Sequence, residues 1–410
     1  MSKFNDNRGT LFFPIKENKF NFLQCTVSIN KLNVFRGIHI NSFDKLVTCV
    51  KGKILDIIIN MNETSEDYLI PKYYQLDPNT DLFELFVPAG YGHSFLSLED
   101  DSILIYHFNG IFTNENTKHI HYMDPYIDIK LPIEDPILSL KDQTRNFVKP
   151  IDYLIFGSKG FIGSCIVDEL NSLNKNYICS NLRLQNTEEI IKILDLYTPK
   201  YIINCAGITG TPNIMWCEDH KEETVDVNIT CQIKMADLCL ERGIHLTVLG
   251  SGAIFRNDRY YSETDVGNFA PNFYSQCRIE LEEKIKLYPN VLYLRINYPI
   301  SSKKSSKNLL TKLLSYKIID NISMSITCLD VLIPVLFQMI ENNEIGICNF
   351  VCNGEINLCE IMNLYGRKNY ECVECENNLK SCSKLINGIL IKYKDLDIIN
   401  SLVMILTKYH

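Results

Sequence analysis

The chain has no long apolar run, no excess of positive charge, no export signal and no double cysteine motif, and each absence narrows what it can be. None of its 410 residues lies in a stretch approaching the roughly 20 apolar residues that cross a bilayer, so no membrane role is expected. Lysine and arginine number 41 against 49 acidic residues, a formal net charge of −8, which argues against nucleic acid as a partner and leaves small ligands. The start, Met1-Ser-Lys-Phe-Asn-Asp-Asn-Arg8, lacks a signal-peptide core, so a cytoplasmic location is expected. Sixteen cysteines in such a chain read as reduced thiols. Cys372-x-x-Cys375 is one tight pair where a structural zinc wants two, so no metal is expected.

What is present is an ordinary globular composition, 46% hydrophobic and 22% charged, with room for two or three domains. Residues 10 to 110 carry short apolar or alternating runs: Leu23 to Ile29, Val34 to Ile40, Lys45 to Val50, Ile54 to Asn60, Leu82 to Val87, Ser94 to Leu98 and Ile103 to Phe108. They predict an all-β sandwich or barrel. Beyond about residue 150, strand-like runs at Tyr153 to Phe156, Tyr177 to Ser180, Tyr201 to Cys205, Leu246 to Leu249 and Val291 to Ile296 alternate with helical stretches such as Glu222 to Arg242. That alternation predicts a doubly wound parallel sheet. The expected domains are 1–148 and 149–410.

The string Gly157-Ser-Lys-Gly160-Phe161-Ile162-Gly163 follows one of these strands and opens a helix. Glycines there permit a tight turn and let backbone amides approach a pyrophosphate. Ser180-Asn-Leu-Arg183, after the second strand, offers a cation and no acid, which favours NADPH (NADP+) over NADH through Arg183. Tyr274 and Arg278 fall four residues apart at the start of a helical stretch and share one face of it.

In the first half, His39 and His93 stand in strands, accompanied by Lys45, Tyr106 and Asp142. A histidine paired with a carboxylate is a general base near neutral pH, and a tyrosine opposite can return the proton to the other face. A metal-binding reading would instead use His39, His93 and one of His119 or His121 as ligands. No second histidine and no glutamate stands close to His39, so the ligand set is short, and His119 and His121 read as surface residues.

Asp6-Asn-Arg8-Gly9, Arg36-Gly-Ile-His39, Lys45-Leu-Val47, Gly90-Tyr-Gly-His93-Ser-Phe95, Tyr106, Asp124-Pro125 and Leu138-Ser-Leu-Lys-Asp142 together resemble the dTDP-4-keto-6-deoxyglucose 3,5-epimerase family of metal-free cupins. The resemblance implies a jelly-roll in which His39 is the base, Asp142 its partner and Tyr106 the acid. Arg36, Lys45 and His93 then hold the substrate or its enolate oxygen, and Arg8 reaches the nucleotide. It also implies a homodimer through the cupin. Phe13 stands where the family often has a glutamate. Strict alternation puts Arg36 and His39 on opposite faces, so a bulge near Gly37 is expected.

Asn204-Cys-Ala206-Gly207-Ile-Thr-Gly210, Pro212-Asn213, Trp216-Cys-Glu218, His220-Lys221, Arg183-Leu-Gln-Asn186, Asn308-Leu-Leu-Thr-Lys312 and Asn349-Phe-Val-Cys-Asn-Gly354 resemble dTDP-4-dehydrorhamnose reductase and the plant-type UDP-rhamnose epimerase/reductases. This implies a Rossmann-type extended short-chain dehydrogenase with Tyr274, Arg278 and Ser251 as catalytic residues. It gives the cofactor Gly157, Gly160, Phe161, Ile162, Gly163, Arg183, Ala206, Gly207, Tyr274 and Arg278, and Lys312 to the substrate. The usual cation is lysine, where this chain has Arg278. Ala253 replaces a cysteine thought to assist epimerisation, which assigns that step to the cupin. The expectation is a bifunctional 3- or 3,5-epimerase and 4-ketoreductase acting on a nucleotide sugar toward an L-rhamnose-type product. The alternative is an active epimerase carrying a non-catalytic NADP-binding regulatory domain.

Overall fold

The computed structural model describes residues 2–6, 9–13, 21–113, 116–210, 213–374 and 384–409. Arg8, Pro212 and Cys375, all named above, lie outside them. The chain divides into two compact units, Met1–Lys149 and Pro150–His410. No helix among the described residues is long and apolar enough to cross a membrane.

The first unit opens with a hairpin of β1 (Ser2–Asp6) and β2 (Gly9–Phe13). There follow β3 (Gln24–Asn30), β4 (Phe35–Asn41), β5 (Lys45–Lys51), β6 (Ile54–Ile59), β7 (Pro71–Leu76), β8 (Glu84–Val87), β9 (Gly92–Ser97), β10 (Ser102–Phe108) and β11 (Thr117–His119). They form two antiparallel sheets, ordered β3-β10-β5-β8 and β11-β4-β9-β6-β7. Alternation sends Val47, Cys49, Ile54, Ile58, Phe95 and Leu104 into one apolar layer drawn from both sheets. Phe35, Ile38, Ile57, Ile59 and Leu96 form a second layer with Ile127. The cupin sandwich is as expected, with β7, β11 and the hairpin added. β7 starts at a proline on an edge, and β11 has three residues, so neither carries a readable period.

The second unit holds a six-stranded, wholly parallel sheet. Its order is Tyr177–Ser180, Tyr153–Phe156, Tyr201–Asn204, His245–Ser251, Val291–Ile296, Gly346–Phe350. Tyr153 and Ile155 face one apolar cluster, which includes the helix Leu329–Glu341, while Leu154 and Phe156 face another with the helix Phe273–Ile285. Both faces are covered, as a parallel sheet requires. Strand order reverses at Tyr153–Phe156, which opens a crevice at its carboxyl end, where the glycine string begins.

Two details depart from expectation. The stretch read as one helix from Glu222 to Arg242 is interrupted by a π-helical turn, Asp226–Thr230. Cysteine is not uniformly reduced, because Cys359 and Cys372 are joined by a disulfide with Cα atoms 6.2 Å apart. The parallel pairing of Ile318–Asn321 with Glu371–Glu374 sets Cys372 opposite Ile319, beside the helix that starts at Leu358. A separation of 13 residues gave no motif to read.

Candidate active sites

A cavity of about 180 Å³ in the first unit is lined from both sheets. β4 contributes Arg36 and His39 and β9 contributes His93, while β5 and β10 of the other sheet contribute Lys45 and Tyr106. His39 Nε2 lies 2.8 Å from Asp142 Oδ1, and Ser139 Oγ donates to the other carboxylate oxygen at 2.7 Å. Burial opposes charge on Asp142, but these bonds and one from the Gly37 amide outweigh it and hold the carboxyl below its usual range.

Arg36 and His39 reach one cavity because the register of β4 against β9 slips between them. Arg36 pairs with Phe95 and His39 with His93, three steps along one strand against two along the other. This β-bulge keeps both polar side chains in the cavity while Phe35 and Ile38 go to the outer apolar layer.

A second histidine–carboxylate pair was not read from the sequence. His93 is 4% exposed and its Nε2 lies 2.8 and 3.0 Å from the two oxygens of fully buried Asp56. The signal was available, since a lone acid inside the apolar run Ile54-Leu-Asp-Ile-Ile-Ile59 needs a partner. Burial lowers the His93 pKa against the pull of Asp56, and brings Lys45 down to about 8 although Asp56 again opposes. Lys45 donates to Asn41 Oδ1 at 3.0 Å. Burial raises the Tyr106 phenol far above its ordinary value, so it stays protonated.

His119 and His121 are not the surface residues expected. His121 is 6% exposed, and His119 faces His39 across the β11–β4 pairing with ring centroids 4.6 Å apart. The brevity of β11 hid this pairing.

In the second unit, Gly157 adopts φ +71°, and a Cβ there would stand 2.6 Å from the Ala206 amide nitrogen. A Cβ on Gly163 would collide with the Gly157 carbonyl. The helix Phe161–Ser172 starts after Gly160 with no side-chain cap, leaving its first amides for an anion. Phe161 and Ile162 pack against the core. Arg183, past the second strand, is exposed.

The loop after the third strand is held by three amides. Asn204 Oδ1 accepts from the Ala206 amide at 3.0 Å, and Gln232 Nε2 donates to the Ala206 carbonyl at 3.0 Å. Asn228, in the π-helical turn, accepts from the Ile208 amide and donates to its carbonyl, both at 2.8 Å. π turns concentrate at functional sites, but only the fold reveals this one.

Asn272 caps the helix Phe273–Ile285 by accepting from the Ser275 amide, and Glu218 accepts from the Phe273 amide at 2.6 Å. Tyr274 and Arg278 are both buried, with the guanidinium carbon 4.9 Å from the phenol ring centroid. Arg278 donates to the Leu249 carbonyl at 3.3 Å, and its Nη2 would be 3.0 Å from a Cβ on Gly207. The cation therefore spans from Tyr274 to the loop that follows the third strand. Ser251 ends its strand buried, and Ser275 Oγ donates to the Ala253 carbonyl, tying the start of this helix to the segment after Ser251.

A larger cavity of about 460 Å³ is lined by Lys307, Lys312, Tyr298 and Tyr316 among others. Lys307, which the sequence reading missed, donates to Thr209 Oγ1 and the Gly210 carbonyl at 3.2 Å each. Asn308 caps the next helix and donates to the Ser301 and Lys303 carbonyls, fixing the loop that presents Lys307.

Comparison with known proteins matches residues 1–149 to the dTDP-4-dehydrorhamnose 3,5-epimerase family and residues 151–323 to the RmlD substrate binding domain family. The bifunctional dTDP-4-dehydrorhamnose 3,5-epimerase/dTDP-4-dehydrorhamnose reductase of Arabidopsis thaliana is 34% identical over 223 residues, 52% of this chain and 74% of that protein. A trifunctional UDP-glucose 4,6-dehydratase/UDP-4-keto-6-deoxy-D-glucose 3,5-epimerase/UDP-4-keto-L-rhamnose-reductase of the same plant is also 34% identical, over 52% of this chain but only 34% of its own length. Among solved structures, the L780 UDP-rhamnose synthase of Acanthamoeba polyphaga mimivirus superposes with a TM-score of 0.59 at 26% identity, covering 63% of this chain and all of that one. With an epimerase-family cupin ahead of a reductase-family sheet, the chain belongs to the family of the bifunctional dTDP-4-dehydrorhamnose 3,5-epimerase/reductase.

Proposed function

We propose that this protein converts a nucleotide-linked 4-keto-6-deoxyhexose into an L-rhamnose-type nucleotide sugar, with UDP or dTDP as the carrier, in two steps assigned to its two units. The observation that carries the first step is the His39–Asp142 pair in a cavity whose other sheet supplies Tyr106. With Asp142 accepting from Nε2–H, the lone pair of His39 is on Nδ1, free to take the proton from the carbon beside the ketone. The Lys45 ammonium, with Arg36 lining the same cavity, holds the enolate oxygen. Tyr106 then returns a proton from the opposite side, inverting C3, and the same cycle at C5 gives the 3,5-epimer.

The second step is reduction of the C4 ketone. The glycine turn and the uncapped helix start fit a dinucleotide pyrophosphate, and Arg183 fits the 2′-phosphate of NADPH. Hydride is the chemistry NADPH supplies when bound. Tyr274 donates the proton to the carbonyl oxygen, Arg278 supports the developing phenolate, and Ser251 orients the ketone. The contact of Arg278 with Tyr274 supports a catalytic second unit over a purely regulatory one. Lys312, joined by Lys307, takes the substrate's phosphates.

We further propose a homodimer through the first unit. β3 is a sheet edge, and its Val27 and Ile29, with Leu23 just before it, are 58%, 65% and 64% exposed. Light scattering that finds only monomers at micromolar concentration would remove this part of the reading. The catalytic reading is tested by supplying UDP- and dTDP-4-keto-6-deoxyhexoses, with and without a 2-acetamido group and NADPH, and following products by NMR. Epimerised ketone without NADPH and reduced sugar with it are expected; no change in any sugar would end the proposal.

A further inference from the structure

Outside the roles assigned so far, the first unit contains a cluster that asks for a ligand. His39 on β4 and His119 on β11 are direct cross-strand partners in an antiparallel pair. Such partners project to the same side of the sheet, which is the arrangement in which two imidazoles can grip one ion. Asp142 completes the group, and one donor atom from each of His39, His119 and Asp142 lies within 4.8 Å of the others.

A second observation is independent of that geometry. Both ring nitrogens of His119 are buried and make no hydrogen bond among the described residues. A neutral imidazole carries a donor and an acceptor, and burying either unmet is unfavourable, so an orphaned ring beside a reactive pair calls for an explanation. His93, the other histidine of the cavity, is excluded because its Nε2 is committed to Asp56.

We propose that His39, His119 and Asp142 form a divalent transition-metal site whose occupation silences epimerisation. Two imidazole nitrogens and one carboxylate oxygen suit Zn²⁺, leaving a fourth position open to water. A tetrahedral zinc with bonds of ~2 Å holds its ligand atoms ~3.3 Å apart, so rotation of these side chains must close the set. The ion takes the place of the proton between His39 Nε2 and Asp142, the ring proton moves from Nε2 to Nδ1, and with no lone pair left on Nδ1 proton abstraction stops. Binding does not depend on the enzymatic assignment; the silencing rests on the epimerase reading above.

The test uses the full chain, stripped with EDTA. Zn²⁺ is titrated by calorimetry, and Co²⁺ by visible absorption, where an N,N,O site gives d–d bands without thiolate charge transfer and so is separated from the many cysteines. His119→Gln and His119→Phe are compared with wild type, the phenylalanine keeping a ring against His39 without donors. The expected result is one more Zn²⁺ per wild-type chain, or binding at least about tenfold tighter, than in both variants. Zn²⁺ should also stop solvent-deuterium exchange into the keto sugar in wild type, reversibly with EDTA, while the variants require about tenfold more. Equal Zn²⁺ binding by all three proteins overturns the site, and undiminished exchange by zinc-loaded wild type overturns the silencing. If stripped wild type performs no exchange at all, the epimerase reading fails, and the binding difference still decides the site.

Discussion

A Cβ placed on Gly37 would stand 2.7 Å from Oδ1 of Asp142, the oxygen that pairs with His39. Gly37→Ala is therefore expected to push the carboxylate off the imidazole, and deuterium exchange beside the ketone should fall about 10²-fold, the lower end of what a general base supplies. Circular dichroism should be unchanged. An undiminished exchange rate would mean that the pair is not needed.

His39→Asn should abolish deuterium exchange in heavy water while sparing NADPH oxidation on a sugar that has already been epimerised. Exchange surviving at the wild-type rate would remove His39 as the base.

Tyr274→Phe should do the reverse, lowering NADPH oxidation by about 10²-fold or more and leaving exchange intact. If reduction survives this change, proton delivery belongs to another group, and the contact with Arg278 is only structural.

Arg183→Glu replaces attraction for a 2′-phosphate with repulsion, so the preference for NADPH over NADH should fall by about tenfold or more. Steady-state kinetics with both cofactors measures it, and an unchanged ratio assigns the phosphate elsewhere.

Exchange should carry an alkaline limb near pH 8. The Lys45 pKa is lowered to about 8, so the ammonium that steadies an enolate is present below that pH and lost as pH rises through it. Lys45→Arg keeps its charge across this range and should remove the limb while lowering the plateau. A wild-type rate that stays flat to pH 10 would contradict the role.

Much of this organisation was legible because it is local. Period-two runs marked the sandwich strands, and Gly157 to Gly163 marked the tight turn between a strand and a helix. Helical spacing put Tyr274 and Arg278 on one face, where the fold brings them into contact. What escaped depends on register between distant segments. Asp56 becomes the partner of His93 only when β6 lies beside β9. His119 meets His39 only through a three-residue strand, and Asn228 grips Ile208 only because a helix takes a π turn. Lys307 had no partner in view until the loop to Gly210 was folded beside it.

The bulge in β4 gives the first unit an unusual kind of vulnerability. Side chains along a strand alternate, so the direction in which His39 points is set by how many residues separate it from Arg36. Were β4 to pair with β9 in unbroken register, Arg36 and His39 would fall on opposite faces, and one of them would turn out of the cavity although neither had been altered. The reactive geometry is thus encoded by a register slip at one point, and a change that erases the slip damages it without touching either side chain.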